Sequence, residues 1–509
     1  MNMKILSKKQ IQEADQYTIE NEPIPSIDLM ERAAKAFTAK LISRISIKSK
    51  LYLFCGMGNN GGDGLAICRL LLEKGYEAYP FVLALSKKGS PDFETNLTRI
   101  KEEWGIEPVF IQSSGRFPKV PKKTVIVDAL FGSGLDRPIE GVAAELVQHL
   151  NQSSSTIFAV DLPSGTYCDD LNPDENKICA DFTFSFHLPK LAFMLPENEA
   201  YIGEWELLPI GLSKEFIQKT ATLFELLEAS TIGHFFPKRG RFSHKGKSGH
   251  LLIAGGSEGK IGAVVLACMG ALRSGAGLTT AYVPKCGLLP LQSQLPEVMV
   301  LTDNDTQNLS HFEENPSWTT LAVGPGMGIS TGAYEFLKSL LTHCEEPIVL
   351  DADALNLLAK HPELLEEVPH FSIITPHPKE LERLVGDCMD SLERLEKARD
   401  FSQKHQIIVV LKGHHTAIIH PKEGRLFFNN TGNAGLAKGG SGDVLTGMIG
   451  AFLAQLKQPW EAACCAVWLH GKAADLALVD FEMVNVLPSD VVSFLPKVTK
   501  SLGSYTKNS

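Results

Sequence analysis

The sequence predicts an α/β protein with two domains, each a parallel sheet with helices on both faces. Short apolar runs alternate with amphipathic stretches from Leu51 to Leu188 and again from Gly249 onward, a pattern typical of three-layer αβα domains. The chain has 509 residues, more than one hydrophobic core normally serves. No repeat relates the two halves, so we expect two different folds.

In the first half, β-branched and aromatic residues mark the strands. The predicted strands are Leu51–Cys55, Ala78–Leu85, Thr124–Leu130, Thr156–Leu162 and Phe182–Phe186. The predicted helices are Leu65–Lys74, Phe93–Trp104 and Val142–Leu150, preceded by a helical segment from Ser7 to Ile45 that Pro23 and Pro25 interrupt. Between Gly211 and Arg241 the pattern shows no strand, and we place a domain boundary near residue 225. The domains are then residues 1–225 and 226–509.

A second series of strands follows the boundary, again interleaved with helical runs. The predicted strands are Gly249–Ala254, Leu278–Val283, Thr320–Val323, Ile348–Leu350, Ser372–Thr375 and Ile407–Leu411. This series predicts the second parallel sheet.

Composition narrows the class of protein. With 44% hydrophobic and 21% charged residues the chain can build sizeable cores, and a net charge of −10 argues against a nonspecific nucleic-acid binder. The ten cysteines form no CxxC pair, and we expect reduced, buried thiols. The N-terminus lacks the apolar core of a signal peptide, and the apolar run Ala263–Leu272 is too short to span a bilayer. We therefore expect a cytoplasmic protein with no membrane partner.

The segment after the first strand looks like a dinucleotide-binding fingerprint. Gly56, Gly58 and Gly61 satisfy GxGxxG between a strand and a helix. A dehydrogenase also needs an acid about 20 residues on to hold the ribose. Here the next strand ends in Leu83–Lys88 without one. The segment thus favours nucleotide binding but argues against hydride transfer.

Polar residues follow three strands of the first half. They are Asn59–Asp63, Asp128 and Asp161, and because ligand sites lie at the carboxyl ends of parallel strands, we expect them to meet in one crevice. Each of these segments alone also has a purely structural interpretation, since glycine-rich segments form tight turns and aspartates cap helices. Their joint placement favours a site.

Four segments of the first half resemble the NAD(P)H-hydrate epimerase family. They are Leu29–Ala34, Asn59–Gly64, Val127–Leu135 and Val160–Gly165, and the resemblance covers about the first 215 residues. It implies a potassium ion held by Asn60, Asp128 and Ser164, whose oxygen atoms suit a hard cation. It implies that the binding site of the hydrated nucleotide is lined by Asn59, Asn60, Gly61, Gly62, Asp63, Gly132, Ser133, Gly134, Leu135, Asp136, Arg137 and Asp161. Asp161 is the candidate acid/base for inversion at C6.

A glycine-rich segment, Asn429–Asp443, precedes the predicted helix Val444–Leu453 in the second half. Backbone N–H groups of Gly440–Gly442 can form an anion hole, and Asp443 can accept a hydroxyl proton. The alternative is an aspartate that merely caps the helix. Gly246-Lys-Ser is not a Walker A loop, because a strand rather than a helix follows it.

Several segments of the second half resemble the ADP-dependent NAD(P)H-hydrate dehydratase family, a branch of the ribokinase-like fold. The resemblance spans about residues 226–497 and includes His244–Gly246, Leu272–Leu278, Val323–Gly328 and Thr375–Glu380. It implies that the hydrate contacts Ala263, Gly326, His377 and Asp443. It implies that ADP, with Mg²⁺, contacts Lys412, Gly413, His414, His415, Thr416 and Gly442. Asp443 is then the base for phosphorylation of the C6 hydroxyl, which precedes phosphate elimination.

Both halves point to the same damaged cofactor, so the sequence predicts a bifunctional repair enzyme. The expected fold is Rossmann-like at the N-terminus and ribokinase-like at the C-terminus. The expected partners are hydrated NADH or NADPH, ADP and further copies of the chain, with no nucleic acid. One alternative is a vitamin or sugar kinase fused to a nucleotide-binding domain. Another is a non-enzymatic scaffold domain like that of mRNA-decapping enhancers. The presence of Asn60, Asp128 and Ser164 argues against such a lost active site.

Overall fold

The computed structural model describes residues 2–312 and 318–505. The described chain divides into two compact units. One is Lys4–Thr222, and the other comprises residues 2–3 with the described residues from Leu223 onward.

The N-terminal unit contains one parallel sheet, in the strand order β4-β3-β2-β5-β6-β7-β8. Strand β1 (Met3–Ile5) precedes its helices in sequence. The strands of the sheet are β2 (Lys50–Cys55), β3 (Glu77–Leu83), β4 (Val109–Ile111), β5 (Val125–Ala129), β6 (Thr156–Val160), β7 (Phe182–Phe186) and β8 (Glu204–Leu208). The helices are α1 (Lys8–Asn21), α2 (Ser26–Ile42), α3 (Asn59–Glu73), α4 (Pro91–Trp104), α5 (Gly141–Asn151), α6 (Glu199–Ile202) and α7 (Lys214–Lys219).

Alternating side chains of this sheet enter two different cores. Leu51 and Leu53 pack with the buried faces of α2, α3 and α4, whereas Phe54 packs with α5. Successive side chains of a strand point to opposite faces, so helices cover both sides of the sheet. This is the three-layer architecture that the sequence predicts.

Helix α3 begins earlier than predicted. It starts at Asn59, after Gly58 in an extended conformation, so the asparagine and glycine residues form its first turn rather than a loop. A Cβ atom at Gly61 would lie 1.8 Å from the carbonyl oxygen of Gly56. Glycine is therefore needed for close packing here, although its low helix propensity hides the helix start in the sequence.

The C-terminal unit contains a larger sheet, in the order β9-β18-β17-β16-β15-β14-β13-β10-β11-β12. Its strands are β9 (Phe224–Leu226), β10 (His250–Ala254), β11 (Leu278–Val283), β12 (Met299–Thr302), β13 (Thr320–Val323), β14 (Val349–Leu350), β15 (Ile373–Ile374), β16 (Ile408–Leu411), β17 (Ala417–Ile419) and β18 (Leu426–Phe428). Its helices are α8 (Ala229–Phe235), α9 (Ile261–Arg273), α10 (Leu288–Gln294), α11 (Thr331–Thr342), α12 (Asp353–Lys360), α13 (Pro378–Val385), α14 (Ser391–His405), α15 (Ser441–Leu456), α16 (Pro459–Ala477) and α17 (Pro488–Tyr505).

Helices lie on both faces of this sheet as well. Ala281 and Val283 of β11 join a core formed with α9, α15 and α16. Tyr282, between them, stacks on Phe336 of α11 with ring centroids 5.6 Å apart. The predicted fold class, α/β with two three-layer domains, is confirmed.

The sequence predicted too few strands, since β1, β4, β8 and β12 were not predicted and neither were three others. Strand β9 lies inside the segment that was expected to lack strands. The antiparallel strands β17 and β18 were also missed. All three are only three residues long, too short for a periodic pattern to stand out.

The N-terminal helices and the cysteines match their predictions in part. Helix α1 ends before Pro23 and helix α2 begins after Pro25, as expected. All ten cysteines are free and six are buried as expected, whereas Cys286, Cys344 and Cys388 are partly exposed and Cys179 is exposed. Within the described residues, no helix combines the length and apolar composition needed to cross a membrane.

Candidate active sites

The first site lies where β2, β5 and β6 end side by side. These strands are parallel neighbours, so the polar residues after them converge on one cavity of about 550 Å³. Most of the residues implied to bind the nucleotide line this cavity: Asn59, Asn60, Asp63, Gly132, Ser133, Gly134, Leu135, Asp136, Arg137 and Asp161. Gly61 and Gly62 are buried in the first turn of α3 and are absent from that lining.

Asp128 and Ser164 lie together in the protein interior, beneath the segment that starts at Phe131. Ser164 Oγ is 2.6 Å from Asp128 Oδ1, and the backbone N–H of Ser164 donates to Oδ2 at 2.8 Å. Burial raises the pKa of Asp128 to about 6, against the hydrogen bonds from Ser164 and Leu130 that lower it. Hydrogen bonds thus position the Asp128 carboxylate, but no positively charged group is among the causes that set its pKa.

Asn60 approaches the same region from α3. A Cβ atom on Gly132, the residue after Phe131, would lie 3.2 Å from Asn60 Oδ1, and the backbone N–H of Phe131 donates to Ser164 Oγ at 2.8 Å. The Nδ2 atom of Asn60 is buried without a hydrogen-bond partner among the described residues. A 180° rotation of the Asn60 amide exchanges its oxygen and nitrogen atoms. The position without a partner can therefore hold the amide oxygen, facing a cation. Amide, carboxylate and hydroxyl oxygens fit a hard cation.

Asp161 is held firmly at the end of β6. Its φ of +65° places it in the left-handed region, which costs energy for a non-glycine residue and often marks a functional position. The Nζ of Lys190 donates to Asp161 Oδ1 at 2.5 Å, and Ser185 Oγ and the N–H of Phe186 donate to the same oxygen at 3.1 and 3.0 Å. Lys190 is fully buried. One oxygen of Asp161 is therefore fixed, and no donor among the described residues is seen on the other.

Among the cavity residues that sequence reasoning missed, two are charged, Lys190 and Asp15. Burial raises the pKa of Asp15 to about 7, and the charge of Asp161 adds to the effect while Lys190 opposes it. Burial also raises the pKa of Asp63, followed by the charges of Asp161 and Asp15. No motif marks Asp15 on its helix. Lys190 was missed because it lies well beyond the VDLPSG segment in sequence.

The second site lies at the N-terminal end of α15. Gly440 precedes the helix with φ of +99°, and Ser441 and Gly442 form its first residues. The N–H of Ser441 donates to the carbonyl oxygen of Lys438 at 3.3 Å, so the N–H groups that follow it in the first turn are the ones that can face an anion. Asp443 follows in the first turn, and Gly440 rather than Asp443 occupies the N-cap position. Burial raises the pKa of Asp443 to about 6, and the charge of Asp351 adds to it while Lys412 opposes it.

Lys412 is ion-paired inside this site. Its Nζ lies 3.0 Å from Asp351 Oδ1 and 3.9 Å from Glu380 Oε2. Thr446 Oγ1 donates to Asp351 Oδ2 at 2.6 Å. A Cβ atom on Gly442 would lie 3.2 Å from Lys412 Nζ, so the lysine approaches the N-terminal end of α15.

The other residues implied to hold ADP form the turn between β16 and β17. Thr416 Oγ1 bonds the carbonyl oxygen of Gly413 at 3.1 Å. The rings of His414 and His415 lie 4.5 Å apart. Burial lowers the pKa of His415 to about 4, so this imidazole is neutral near pH 7. The turn therefore places the neutral His415 imidazole close in sequence to the Lys412 ammonium.

The residues implied to contact the hydrate fall into two places. Ala263 and Gly326 adjoin, since a Cβ atom at Gly326 would lie 3.2 Å from that of Ala263. His377 caps α13, its Nδ1 accepting from the N–H of Glu380 at 3.2 Å, which leaves its Nε2 3.5 Å from a Glu380 carboxylate oxygen. Glu380 therefore links His377 to Lys412.

Sequence reasoning also missed Asp351, Asp353 and Glu380. Asp351 directly follows β14, which is the signal that identified polar residues after strands in the first half. Asp353 Oδ2 accepts from the N–H of Gly328 at 2.9 Å and lies 3.7 Å from Lys260 Nζ. In the described residues, no group of three or more His, Cys, Asp or Glu side chains is arranged to hold a metal by itself.

Comparison with known proteins agrees with two sites in one chain. Residues 26–192 match the family described as YjeF-related protein N-terminus, and residues 251–497 match NAD(P)H-hydrate dehydratase. The bifunctional NAD(P)H-hydrate repair enzyme Nnr of Moorella thermoacetica is 33% identical over 98% of this chain and 97% of that protein. This chain belongs to the bifunctional NAD(P)H-hydrate repair enzyme family. The resemblance predicted from the motifs is confirmed.

Other members and one solved structure extend the comparison. The Escherichia coli protein of the same name is 33% identical over 92% of this chain and 89% of its own length. A crystal structure of the ADP/ATP-dependent NAD(P)H-hydrate dehydratase from Bacillus subtilis, co-crystallised with ATP and Mg²⁺, is 32% identical. It covers 54% of this chain and 98% of that chain, with a TM-score of 0.48. The match to the repair-enzyme family thus extends over nearly the whole chain.

Proposed function

We propose that this protein repairs hydrated NADH and NADPH with two activities in one chain. The N-terminal unit interconverts the R and S epimers, and the C-terminal unit dehydrates the S epimer at the expense of ADP. The observation that carries the proposal is the pairing of two separate sites, each with a positioned carboxylate, in a chain that matches bifunctional repair enzymes over nearly its full length.

The N-terminal cavity supports epimerisation. Three hydrogen bonds fix one oxygen of Asp161, and the other oxygen is available to accept a proton. The segments 59–63 and 132–137 line the same cavity, where α3 supplies an N-terminus for the nucleotide phosphates. Asp161 then exchanges a proton with the substrate as C6 is inverted.

The second site supports phosphoryl transfer followed by elimination. Asp443 accepts the proton of the C6 hydroxyl, while the N–H groups at the start of α15 hold the transferred phosphoryl group. Lys412 and the turn that ends at Thr416 hold the nucleotide. Ala263, Gly326 and His377 contact the hydrate. Elimination of phosphate restores the dihydropyridine ring.

The proposal includes two metal ions, potassium in the N-terminal unit and magnesium in the C-terminal unit. Asn60, Asp128 and Ser164 would hold potassium, which would supply the positive charge that the buried Asp128 lacks. Magnesium would enter with the nucleotide, since Mg²⁺ is usually held by phosphates and one or two carboxylates. Asp351, Asp353 and Glu380 all raise the pKa of Asp443, a local excess of negative charge that a divalent cation would offset.

An absorbance assay tests the proposal. Full-length protein is mixed with both epimers of hydrated NADH, ADP, Mg²⁺ and K⁺, and recovery of the dihydronicotinamide band is followed. The unmodified protein should restore the whole pool. Asp443→Asn should abolish recovery, and Asp161→Asn should stop it when the S epimer is used up. Asp400→Asn, an exposed carboxylate on α14, should behave like the unmodified protein.

The same assay separates the proposal from the alternative kinase. No recovery of absorbance, together with a stable phosphorylated vitamin or sugar alcohol, would establish the kinase instead. Replacing K⁺ with Li⁺ should slow the second phase of recovery, which needs the epimerase, and leave the first phase unchanged. An equal slowing of both phases would contradict the potassium site.

The remaining proposals concern location and assembly. Ten free cysteines, five of them fully buried with raised pKa values, support a reducing compartment such as the cytoplasm. We also propose a homo-oligomer. Light scattering after gel filtration tests it, and a monomer mass at micromolar concentration would exclude it.

A further inference from the structure

Asp15 lies in the wall of the N-terminal cavity, although no sequence motif pointed to it. It lines that cavity together with Asp63 and Asp161, and it also lines an adjoining cavity of about 350 Å³. Among the residues that the structure describes, no hydrogen-bond donor reaches its carboxyl group. Asp15 is therefore a carboxyl group that faces the substrate space without a structural role of its own.

The environments of Asp15 and Asp161 differ in the way that an acid and a base require. The buried ammonium of Lys190 and two further donors hold one oxygen of Asp161. Asp15 receives none of these, and burial raises its pKa to about 7, with a further contribution from the negative charge of Asp161. The other charged or titratable residues that line the two cavities with Asp15 are Asp161, Lys190, Asp63, Asp136, Arg137 and Asp92. Near pH 7 a substantial fraction of Asp15 therefore keeps its proton, as a general acid requires, whereas three donors hold one oxygen of Asp161.

The chemistry of epimerisation needs such a pair. C6 of the hydrated ring carries a hydroxyl group and is bonded to N1. A base removes the hydroxyl proton, the C6–N1 bond breaks with its electron pair moving to N1, and an acid protonates N1. The product is an open-chain aldehyde, which rotates about C5–C6 before N1 adds to the opposite face. The N1 proton returns to the acid and the hydroxyl proton to the alkoxide, so no water, metal or redox step is required.

We propose that Asp15 is the second catalytic group of the epimerase, the acid that protonates N1 while Asp161 accepts the hydroxyl proton. The inference rests on the epimerase function proposed above. Both groups recover their starting protonation after each inversion, so the same assignment serves R-to-S and S-to-R conversion. Asp161 is positioned by Lys190, whereas Asp15 is free to donate.

Variants of the full-length protein test this role through the second phase of absorbance recovery, which depends on the R epimer. Asp15→Asn keeps the shape of the side chain and removes the acid, and should lower kcat of epimerisation by about 100-fold or more with little change in KM. Asp15→Glu should recover part of the rate. Glu13→Gln, on an exposed neighbour in α1, should leave both phases unchanged. The first phase, dehydration of the S epimer, serves as an internal check on every variant.

The pH dependence supplies a measurement that needs no variant. Asp15 must be protonated to donate, so kcat of epimerisation in the unmodified protein should fall as pH rises through about 7. The residual activity of Asp15→Asn should lack this decline. After turnover in D₂O, the repaired cofactor should carry no deuterium at C6, because ring opening never breaks the C6–H bond.

Several results would overturn the inference. They are an Asp15→Asn enzyme within about threefold of the unmodified kcat, a loss confined to KM, deuterium at C6, or a kcat loss in Asp63→Asn with none in Asp15→Asn. Any of these leaves the repair function standing. If the unmodified protein has no epimerase phase at all, the proposed function fails first, and the two failures are thus distinguished.

Discussion

Asp161 and Asp443 are both carboxylates next to a segment proposed to bind a nucleotide, but their surroundings differ. Lys190, Ser185 and Phe186 donate to Asp161. Asp443 instead lies in a negative environment, where burial and Asp351 raise its pKa to about 6. A general base works best with a pKa near the operating pH, so the crowding of carboxylates at the second site suits the role proposed for Asp443.

This environment makes dehydration sensitive to acid. Asp443 must be ionised to accept the hydroxyl proton, so activity should be full well above its pKa and should decline as pH falls through about 6. The initial rate with the pure S epimer, measured from pH 5 to 8, checks this. A rate that stays constant down to pH 5 would contradict the assignment of Asp443 as the base.

The buried pair of Lys190 and Asp161 should also stabilise the N-terminal unit. Lys190→Met leaves the carboxylate without its cation, and removing one partner of a buried ion pair typically costs about 3–5 kcal/mol. The double variant Lys190→Met, Asp161→Asn should recover part of this loss, since no uncompensated charge remains. Urea denaturation of the three proteins measures it, and equal stability of both variants would argue against the ion pair.

At the scale of elements, close contact between α9 and α15 fixes the start of the second site. A Cβ atom at Gly447 of α15 would lie 1.8 Å from the carbonyl oxygen of Ala267, and one at Gly270 of α9 would lie 2.4 Å from that of Val444. The glycines allow the two backbones to touch. Because Asp443 lies one turn before Gly447, this contact also sets the position of the proposed base.

Substitution at this contact should be costly. Gly447→Ala forces the helices apart and should destabilise the C-terminal unit by about 2–3 kcal/mol or more, as overpacking does. The matched control is Gly262→Ala, also helical, where a Cβ atom would meet no neighbour within 4 Å. That change should be neutral or stabilise by up to about 1 kcal/mol. Thermal unfolding compares the two, and equal melting temperatures would contradict the close packing.

At the scale of the whole molecule, each proposed site is built from residues of one unit. The first cavity is lined by residues between Ile11 and Leu212, all within Lys4–Thr222. The contacts of Asp351, Lys412 and Asp443 belong to the other unit. Neither site therefore requires a catalytic side chain from the other unit.

This separation predicts complementation between two inactive chains. An equimolar mixture of full-length Asp161→Asn and Asp443→Asn should restore the whole pool of hydrated NADH, because one protein epimerises and the other dehydrates the S epimer released into solution. Absorbance recovery by the mixture and by each variant alone measures it. A mixture that stops after the S epimer would show that epimerisation fails without an active dehydratase in the same chain.

Much of the fold could be predicted from local pattern. The longer buried strands, such as Lys50–Cys55 and Leu278–Val283, carry enough apolar residues to be recognised. Short strands such as Phe224–Leu226 could not, since three residues show no period. The start of α3 was also missed, because Gly61 is kept there by packing against Gly56 rather than by helix propensity.

The same division holds for the sites. The motifs by themselves determined that the chain belongs to the repair-enzyme family and which segments follow the strands, because a parallel sheet sends those segments to one edge. Only the tertiary structure brought Lys190 against Asp161 and placed Asp15 in the cavity wall. Likewise, Glu380 reaches Lys412 through space alone. Charge and burial depend on neighbours that are distant in sequence, and these neighbours give each carboxyl group its own environment and hydrogen bonds.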